Sequence, residues 1–137
     1  MNKVAIVFWS ATGNTETMAN CIAEGTGANG IIVPCTEMTP AKLAEFDVVA
    51  FGCPAMGAEQ LEESEFEPMF TACEGRLSGK NIALFGSYGW GDGEWMRSWE
   101  SRCNDDGANL ACESVICNEA PDDDALAACR ELGASLA

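Results

Sequence analysis

Short apolar runs alternate with stretches in which apolar residues recur every three or four positions, and this alternation organises the chain. Val4 to Trp9 is a continuous run rich in β-branched and aromatic residues, which predicts a strand buried on both faces. After Ser10 to Gly13, the positions of Met18, Ile22 and Ala23 have helical spacing, and Gly25 and Gly27 predict the end of that helix. Ile31 to Cys35 predicts a second strand. Thr39 followed by Pro40 matches an N-cap with proline at the first helical position, opening a short helix through Ala44 and Phe46. Asp47 to Gly52 predicts a third buried strand, Cys53 to Glu59 a loop, and the stretch near Glu62 to Cys73 an acidic helix. Ile82 to Gly86 predicts a fourth strand, followed by a glycine-rich loop from Ser87 to Gly93. Trp95, Met96 and Trp99 fall on one helix face, with Gly107 past the end. A last strand is expected within Asn109 to Cys117, and Pro121 with Asp122 to Asp124 opens a final helix to about Leu136, with acids at its positive end.

Strand and helix thus alternate five times, which predicts an α/β fold: a doubly wound, five-stranded parallel sheet with helices on both faces. A length of 137 residues fits one domain spanning 1–137. Ligands in this class bind at the carboxyl ends of the strands, near the switch in strand order. Attention therefore falls on the loops that leave strand ends.

Charge and cysteine content narrow the chemistry. Seven basic against 22 acidic residues give a net charge of −15, which would repel nucleic-acid phosphates and anionic lipid, so no nucleic acid is expected as a partner. No apolar stretch approaches the length needed to cross a bilayer, and no membrane insertion is expected. Met1 runs almost directly into a strand without a basic, apolar leader, which makes the cytoplasm the expected location. The eight cysteines contain no C-x-x-C, histidine is absent, and the cysteines lie in apolar segments. Metal sites are therefore not expected, and most thiols should be reduced core residues.

Three loops carry chemistry. Ser10-Ala11-Thr12-Gly13-Asn14-Thr15-Glu16 brings hydroxyls and backbone N–H groups to the start of a helix, where a phosphate can be held without a basic residue. It lacks the lysine of a Walker loop and the G-x-G-x-x-G of a dinucleotide site. Ser, Thr and Asn are also ordinary cap and turn residues. In Cys53-Pro54-Ala55-Met56-Gly57-Ala58-Glu59, Met56 offers a polarizable face for a flat ring, although a methionine after a strand also serves cores. In Ser87-Tyr88-Gly89-Trp90-Gly91-Asp92-Gly93, aromatic surface stands among glycines that let the backbone approach a ligand. Together they suggest an aromatic ring slotted between two loops, its phosphate held by the first.

On these residues the chain resembles the short-chain flavodoxins of anaerobic bacteria. The resemblance covers the whole length and rests on T-G-N-T-E after Ser10, P-A-M-G with Glu59, and F-G-S-Y-G-W-G-D-G from Phe85 to Gly93. It implies strand order 2-1-3-4-5 and one noncovalent flavin mononucleotide (FMN). It implies that Ser10, Thr12, Asn14 and Thr15 bind the FMN phosphate beside Ala11 and Gly13, and that Met56, next to Ala55, and Trp90 cover the two flavin faces. The Gly57 carbonyl would address flavin N5, Glu59 would accept from N3, and N–H groups of Gly89 and Gly91 would meet the pyrimidine oxygen, with Ser87, Tyr88 and Asp92 close by. Ala11 stands where many relatives have glycine, and Pro54 where some have a hydroxyl.

The implied function is a low-potential one-electron carrier, not an enzyme, cycling between semiquinone and hydroquinone and able to stand in for ferredoxin. Glu59, Glu62, Glu63, Glu65, Glu67, Asp92 and Glu94 would repel the reduced anion. The implied partners are redox proteins with basic docking surfaces, such as ferredoxin- or flavodoxin-dependent oxidoreductases, met by a monomer. Two other readings are weaker. A flavin-dependent quinone or nitro reductase would need an open pocket and a nicotinamide site. A response-regulator-like domain would need acids where Phe8, Trp9 and Ser10 end the first strand.

Overall fold

In the computed structural model, which describes residues 2–11, 13–56, 60–89 and 91–137, the alternation becomes a parallel sheet. Its strands are β1 (Val4–Phe8), β2 (Gly30–Pro34), β3 (Val48–Gly52), β4 (Asn81–Tyr88), β5 (Asn109–Leu110) and β6 (Val115–Asn118). The helices are α1 (Asn14–Thr26), α2 (Pro40–Leu43), α3 (Phe66–Cys73), α4 (Glu94–Asp105) and α5 (Asp123–Leu136). Strand order is β2-β1-β3-β4-β5, with β6 also paired to β4, and every pairing between these strands is parallel.

The continuous apolar runs are two-faced, as side-chain alternation along a strand requires. Val4, Ile6, Val48, Ala50, Ala83 and Phe85 pack with Met18, Ile22, Cys129 and Leu132 of α1 and α5. Ala5, Val7, Val49, Phe51, Ile82 and Leu84 pack against Phe66, Phe70, Trp95 and Trp99 of α3 and α4. Neighbouring residues of β1, β3 and β4 thus enter alternate cores, while Ile31 of β2 and Ile116 of β6 stay exposed.

The doubly wound, five-stranded expectation holds, with the fifth position divided between β5 and β6. Four local expectations are corrected. The helix after Pro40 stops at Leu43, although Thr39 caps it by accepting from the Lys42 N–H at 3.1 Å. The first helix runs through Gly25, where α5 packs with the Arg130 carbonyl against the missing side chain, and ends at Thr26 with Gly27 as its C-cap, so only the second of the two expected glycines ends it. The acidic helix begins at Phe66, not near Glu62. β4 continues through Ser87 and Tyr88, which the sequence placed in a loop, because β6 pairs with it there, Ser87 opposite Cys117 and Tyr88 opposite Asn118. The cysteines are free; six are buried and Cys112 and Cys117 are half-buried. Burial pushes the Cys53, Cys103 and Cys129 thiols up to about 12 and Cys35 to about 11, so they pack as neutral thiols. Among the described residues, no helix is long and apolar enough to cross a membrane.

Helices α3 and α4 are joined by Arg102, which donates to Glu67 at 2.6 and 2.8 Å and to Glu74 at 2.7 and 2.8 Å while lying over the Phe70 ring. Beside it, Asp106 has one buried carboxylate oxygen without a hydrogen-bond partner. Burial, then the neighbouring Glu74 carboxylate, push the Asp106 pKa up to about 6. The native state therefore binds a proton that the unfolded chain has released, so this contribution is full below the ordinary aspartate value and is lost as pH rises through about 6. Asp106→Asn is expected to raise stability by about 1 kcal/mol at pH 8, an amount discounted for solvent screening, and to have little effect near pH 4. Urea unfolding at the two pH values measures the difference.

Candidate functional site

Register brings the strand exits level. Phe8 of β1 pairs with Gly52 of β3, and Gly52 pairs with Phe85 of β4. The chain leaves β1 toward α1 and β2 on one side, and β3 toward β4 on the other, so the switch in strand order lies between β1 and β3. A cavity of about 480 Å³ opens at this end, lined by Ser10, Ala11, Asn14, Thr15, Pro54, Ala55, Met56, Ser87, Tyr88, Gly89 and Glu119. That volume is in the range of small-ligand sites.

The first wall is the start of α1. Thr39 and Asp122 cap α2 and α5 through their side chains, but among the described residues no side chain caps α1. Gly13 precedes the helix at φ 94°, a left-handed conformation suited to glycine, and its N–H donates to Ser10 Oγ at 3.1 Å. The first turn thus presents N–H groups and the helix dipole to the cavity beside the Asn14 and Thr15 side chains. Thr15 Oγ1 lies 3.1 Å from Ser87 Oγ across the cavity floor, and both residues are buried. This is a neutral-donor niche for an anion.

The second wall continues the β3–β4 ladder beyond the strand. Cys53 N–H donates to the Phe85 carbonyl at 3.2 Å and Ala55 N–H to the Ser87 carbonyl at 2.9 Å. Met56 and Gln60 then exchange antiparallel backbone bonds of 2.9 and 3.1 Å. The close approach needs Gly86: a Cβ there would lie 2.3 Å from the Cys53 carbonyl oxygen. Trp95 Nε1 donates to the same carbonyl at 3.2 Å, so α4 backs the loop.

The third wall comes from β4 and the segment that follows it. Tyr88 is half-buried and packs on Trp95 at a ring-centroid distance of 5.4 Å; it is part of the wall without being a freely displayed aromatic. Gly91 and Gly93 have φ of 85° and 91°. Asp92 is paired with Arg97, which donates to its carbonyl at 3.1 Å, to its carboxylate at 3.0 Å and to the Glu94 carboxylate at 2.7 Å. Thr12, Gly57, Glu59 and Trp90 lie outside the described residues.

The sequence missed two lining residues. They are Pro54 and Glu119. Glu119 adopts φ 58°, uncommon for a residue other than glycine, and its N–H donates to the Tyr88 carbonyl at 2.7 Å. Its position directly after the last strand was the available signal, since ligands gather at strand exits.

The acidic surroundings differ from a uniform repulsive field. Glu62 is only 5% exposed, and its carboxylate accepts from the N–H groups of Ser64 at 2.8 Å, Glu65 at 2.7 Å and Phe66 at 2.9 Å. Burial works against its ionisation, but these donors outweigh it and hold the carboxyl below its ordinary value. Glu67 is paired with Arg102, and Asp92 and Glu94 with Arg97. Glu65 accepts from Trp9 Nε1 at 3.0 Å, and Glu63 is exposed.

A family model described as flavodoxin matches residues 6–133. The chain is 46% identical over 137 residues to a flavodoxin of Megasphaera elsdenii, covering 98% of each chain. It is 45% identical over 135 residues to a flavodoxin of Clostridium beijerinckii, covering 96% of this chain and 97% of that one. The solution structure of two-electron reduced Megasphaera elsdenii flavodoxin superposes with a TM-score of 0.88 at 46% identity, covering 97% of both chains.

Removing the freedom at the two glycines that shape the site should have unequal effects. Gly86→Ala drives a Cβ into backbone that cannot rotate away and is expected to destabilise by about 3 kcal/mol. Gly13→Ala meets nothing within 4 Å and carries only the left-handed backbone penalty, about 1 kcal/mol. Urea unfolding of the cofactor-free protein ranks the two.

Proposed function

The chain belongs to the flavodoxin family of electron-transfer flavoproteins, and from that premise we propose that it is a low-potential one-electron carrier that binds one FMN noncovalently and stands in for ferredoxin as donor to redox enzymes. The observation that carries the reading is the convergence of an uncapped helix start and two strand-exit loops on one cavity at the sheet's switch point.

The residues present fit the group. The cavity has neutral hydroxyl and N–H donors at the α1 end, suited to a phosphate, and apolar surface from Ala55, Met56 and Tyr88 at the other, suited to a flat ring. Ser10, Asn14 and Thr15 would hold the phosphate, with Thr12; Met56 and Tyr88 would bound the ring, with Gly57, Glu59, Gly89, Trp90 and Gly91 completing its site by resemblance. When bound, FMN supplies one-electron redox chemistry. The chain's part is to bind and orient it, exclude water from the ring with Met56 and its neighbours, and set its potential. Thr15 and Ser87, buried and 3.1 Å apart, fix each other's hydroxyl at the phosphate end. Stable binding without a basic lining residue relies on oriented dipoles, which leave the site's net charge negative and favour a low potential.

We further propose cytoplasmic partners with basic docking surfaces, met by a monomer. Exposed carboxylates, Glu119 on the cavity lining and Glu63 on the surface among them, would steer such partners.

An anaerobic reductive titration of the purified protein tests the carrier role. A yellow protein whose long-wavelength absorbance rises and then falls between the oxidised and fully reduced ends is the expected outcome. Direct bleaching would indicate a two-electron flavoenzyme, and a colourless protein that takes up no FMN would remove the proposal. Docking has its own test. Electron delivery to a basic haem protein should slow by about tenfold as ionic strength rises from about 0.01 M to about 0.15 M, because the screening length falls from about 30 to about 8 Å. A salt-independent rate would exclude electrostatic steering.

A further inference from the structure

Every polar group of Glu62 is engaged between the second loop and α3. Its N–H approaches Cys53 Sγ at 3.3 Å, its carbonyl accepts from Glu67 N–H at 2.8 Å, one carboxylate oxygen accepts from Glu65 and Phe66, and the other accepts from Ser64. The helix it serves has no side-chain cap from Glu65, the residue immediately before it. The cap reaches in from the loop itself.

We propose that Glu62 is the positioning residue of the ring-binding loop: its buried carboxylate fastens the loop's returning arm to the first turn of α3 and so fixes how the second wall closes on a ring. The proposal rests on the reading of the cavity as an FMN site. The loop's outgoing arm is held by the β4 ladder through Cys53 and Ala55. Its returning arm has the Met56–Gln60 bridge, then buried Leu61, then Glu62. Slack at Glu62 therefore passes through a single buried residue to the bridge that shapes the cavity wall. Trp9, at the exit of β1, also donates to Glu65 in the same turn, so the anchored segment joins the first loop to the second.

A carboxylate is required because both oxygens accept from N–H groups, and bonds to an ionised acceptor are the strong class. Glutamine has the same shape but only one acceptor oxygen, and its NH₂ would face a backbone donor. Glu63, one residue on, is exposed and carries the same charge into solvent. It separates charge from position.

The test compares Glu62→Gln with Glu63→Gln by two readouts. The first is the midpoint potential of the first electron. Removing a negative charge near the site by itself raises a reduction potential, whereas a slack loop loses grip that favours the reduced ring and lowers it. Glu62→Gln is expected to lower the ratio of reduced to oxidised affinity by about tenfold, equal to about 59 mV for one electron, while Glu63→Gln leaves the potential unchanged or slightly raised. The second readout is amide hydrogen exchange in the FMN-free protein. The N–H groups of Gln60, Ser64, Glu65 and Phe66 should exchange faster in Glu62→Gln and at the wild-type rate in Glu63→Gln. Potentials that move alike in both variants, or unchanged exchange at those amides, would overturn the proposal. If Glu62→Gln fails to fold, Glu62→Asp, which keeps the charge on a shorter stem, carries the same test, with an intermediate loss expected. A wild-type protein that binds no FMN would end the carrier reading, while the exchange result would still decide whether Glu62 anchors the loop.

Discussion

Two backbone hydrogen bonds beyond the formal end of β3 hold the site together. Cys53 N–H to Phe85 and Ala55 N–H to Ser87 prolong the β3–β4 pairing into a segment that would otherwise leave as a free loop. The extension needs β4 to run longer than β3, which it does, to Tyr88. It also needs the β4 backbone to approach the Cys53 carbonyl, which the missing side chain of Gly86 permits. The outer end of β4 is in turn secured by β6, whose pairing reaches Tyr88 and delivers Glu119 to the rim. Met56, Ser87 and Glu119 come from three distant parts of the chain, and this one prolonged ladder gives them a common frame. Trp95 closes it from behind by donating to the carbonyl that Gly86 leaves accessible.

The fold was legible because its information is periodic. Strands such as Val48–Gly52 are apolar at every position since each residue enters one of two cores, and helices such as α4 show Trp95, Met96 and Trp99 on a single face. The strand-to-helix junction of the first loop was legible for a local reason: small polar residues around Gly13 are turn and cap residues, and Gly13 takes the left-handed conformation that precedes α1. What escaped depends on pairing between segments far apart. Ser87 and Tyr88 look like loop because they adjoin glycines, yet β6 recruits them into the sheet. Gly25 looks like a helix end, yet α5 crosses there. Glu119 resembles any polar residue after a strand until its left-handed backbone turns it to the rim. Glu62 is the clearest instance: it sits in a run of glutamates whose composition reads as solvated surface, and only the fold shows that one of them faces inward onto three N–H groups.

That difference changes what the acidic composition means. A net charge of −15 suggests a field that acts as a whole, with each carboxylate adding to repulsion at the site. The acids instead divide by what balances them. Glu67 and Glu74 share Arg102, and Asp92 and Glu94 share Arg97. Each of these pairs of carboxylates shares one cation, so each cluster keeps a net charge of about −1 where the bare residues would give about −2, and unit charges about 10 Å apart in a water-like medium interact by only about 0.4 kcal/mol before screening. Glu62 keeps its full charge in a place where solvent and salt screen it least, and that charge faces the start of α3, whose dipole favours it. Holding the ring-binding loop and repelling an added electron are then different tasks given to different residues. The buried carboxylate fixes geometry, and exposed ones such as Glu63 are left to act at long range on whatever approaches the rim. The buried thiols add no charge to either task, since burial keeps Cys35 and Cys53 protonated beside the loop, where Cys53 Sγ lies 3.3 Å from the Glu62 N–H. On the carrier reading proposed above, the carboxylate of Glu62 is committed to holding the backbone in place, which leaves the fit of the apolar walls to the ring as the main means of setting a potential.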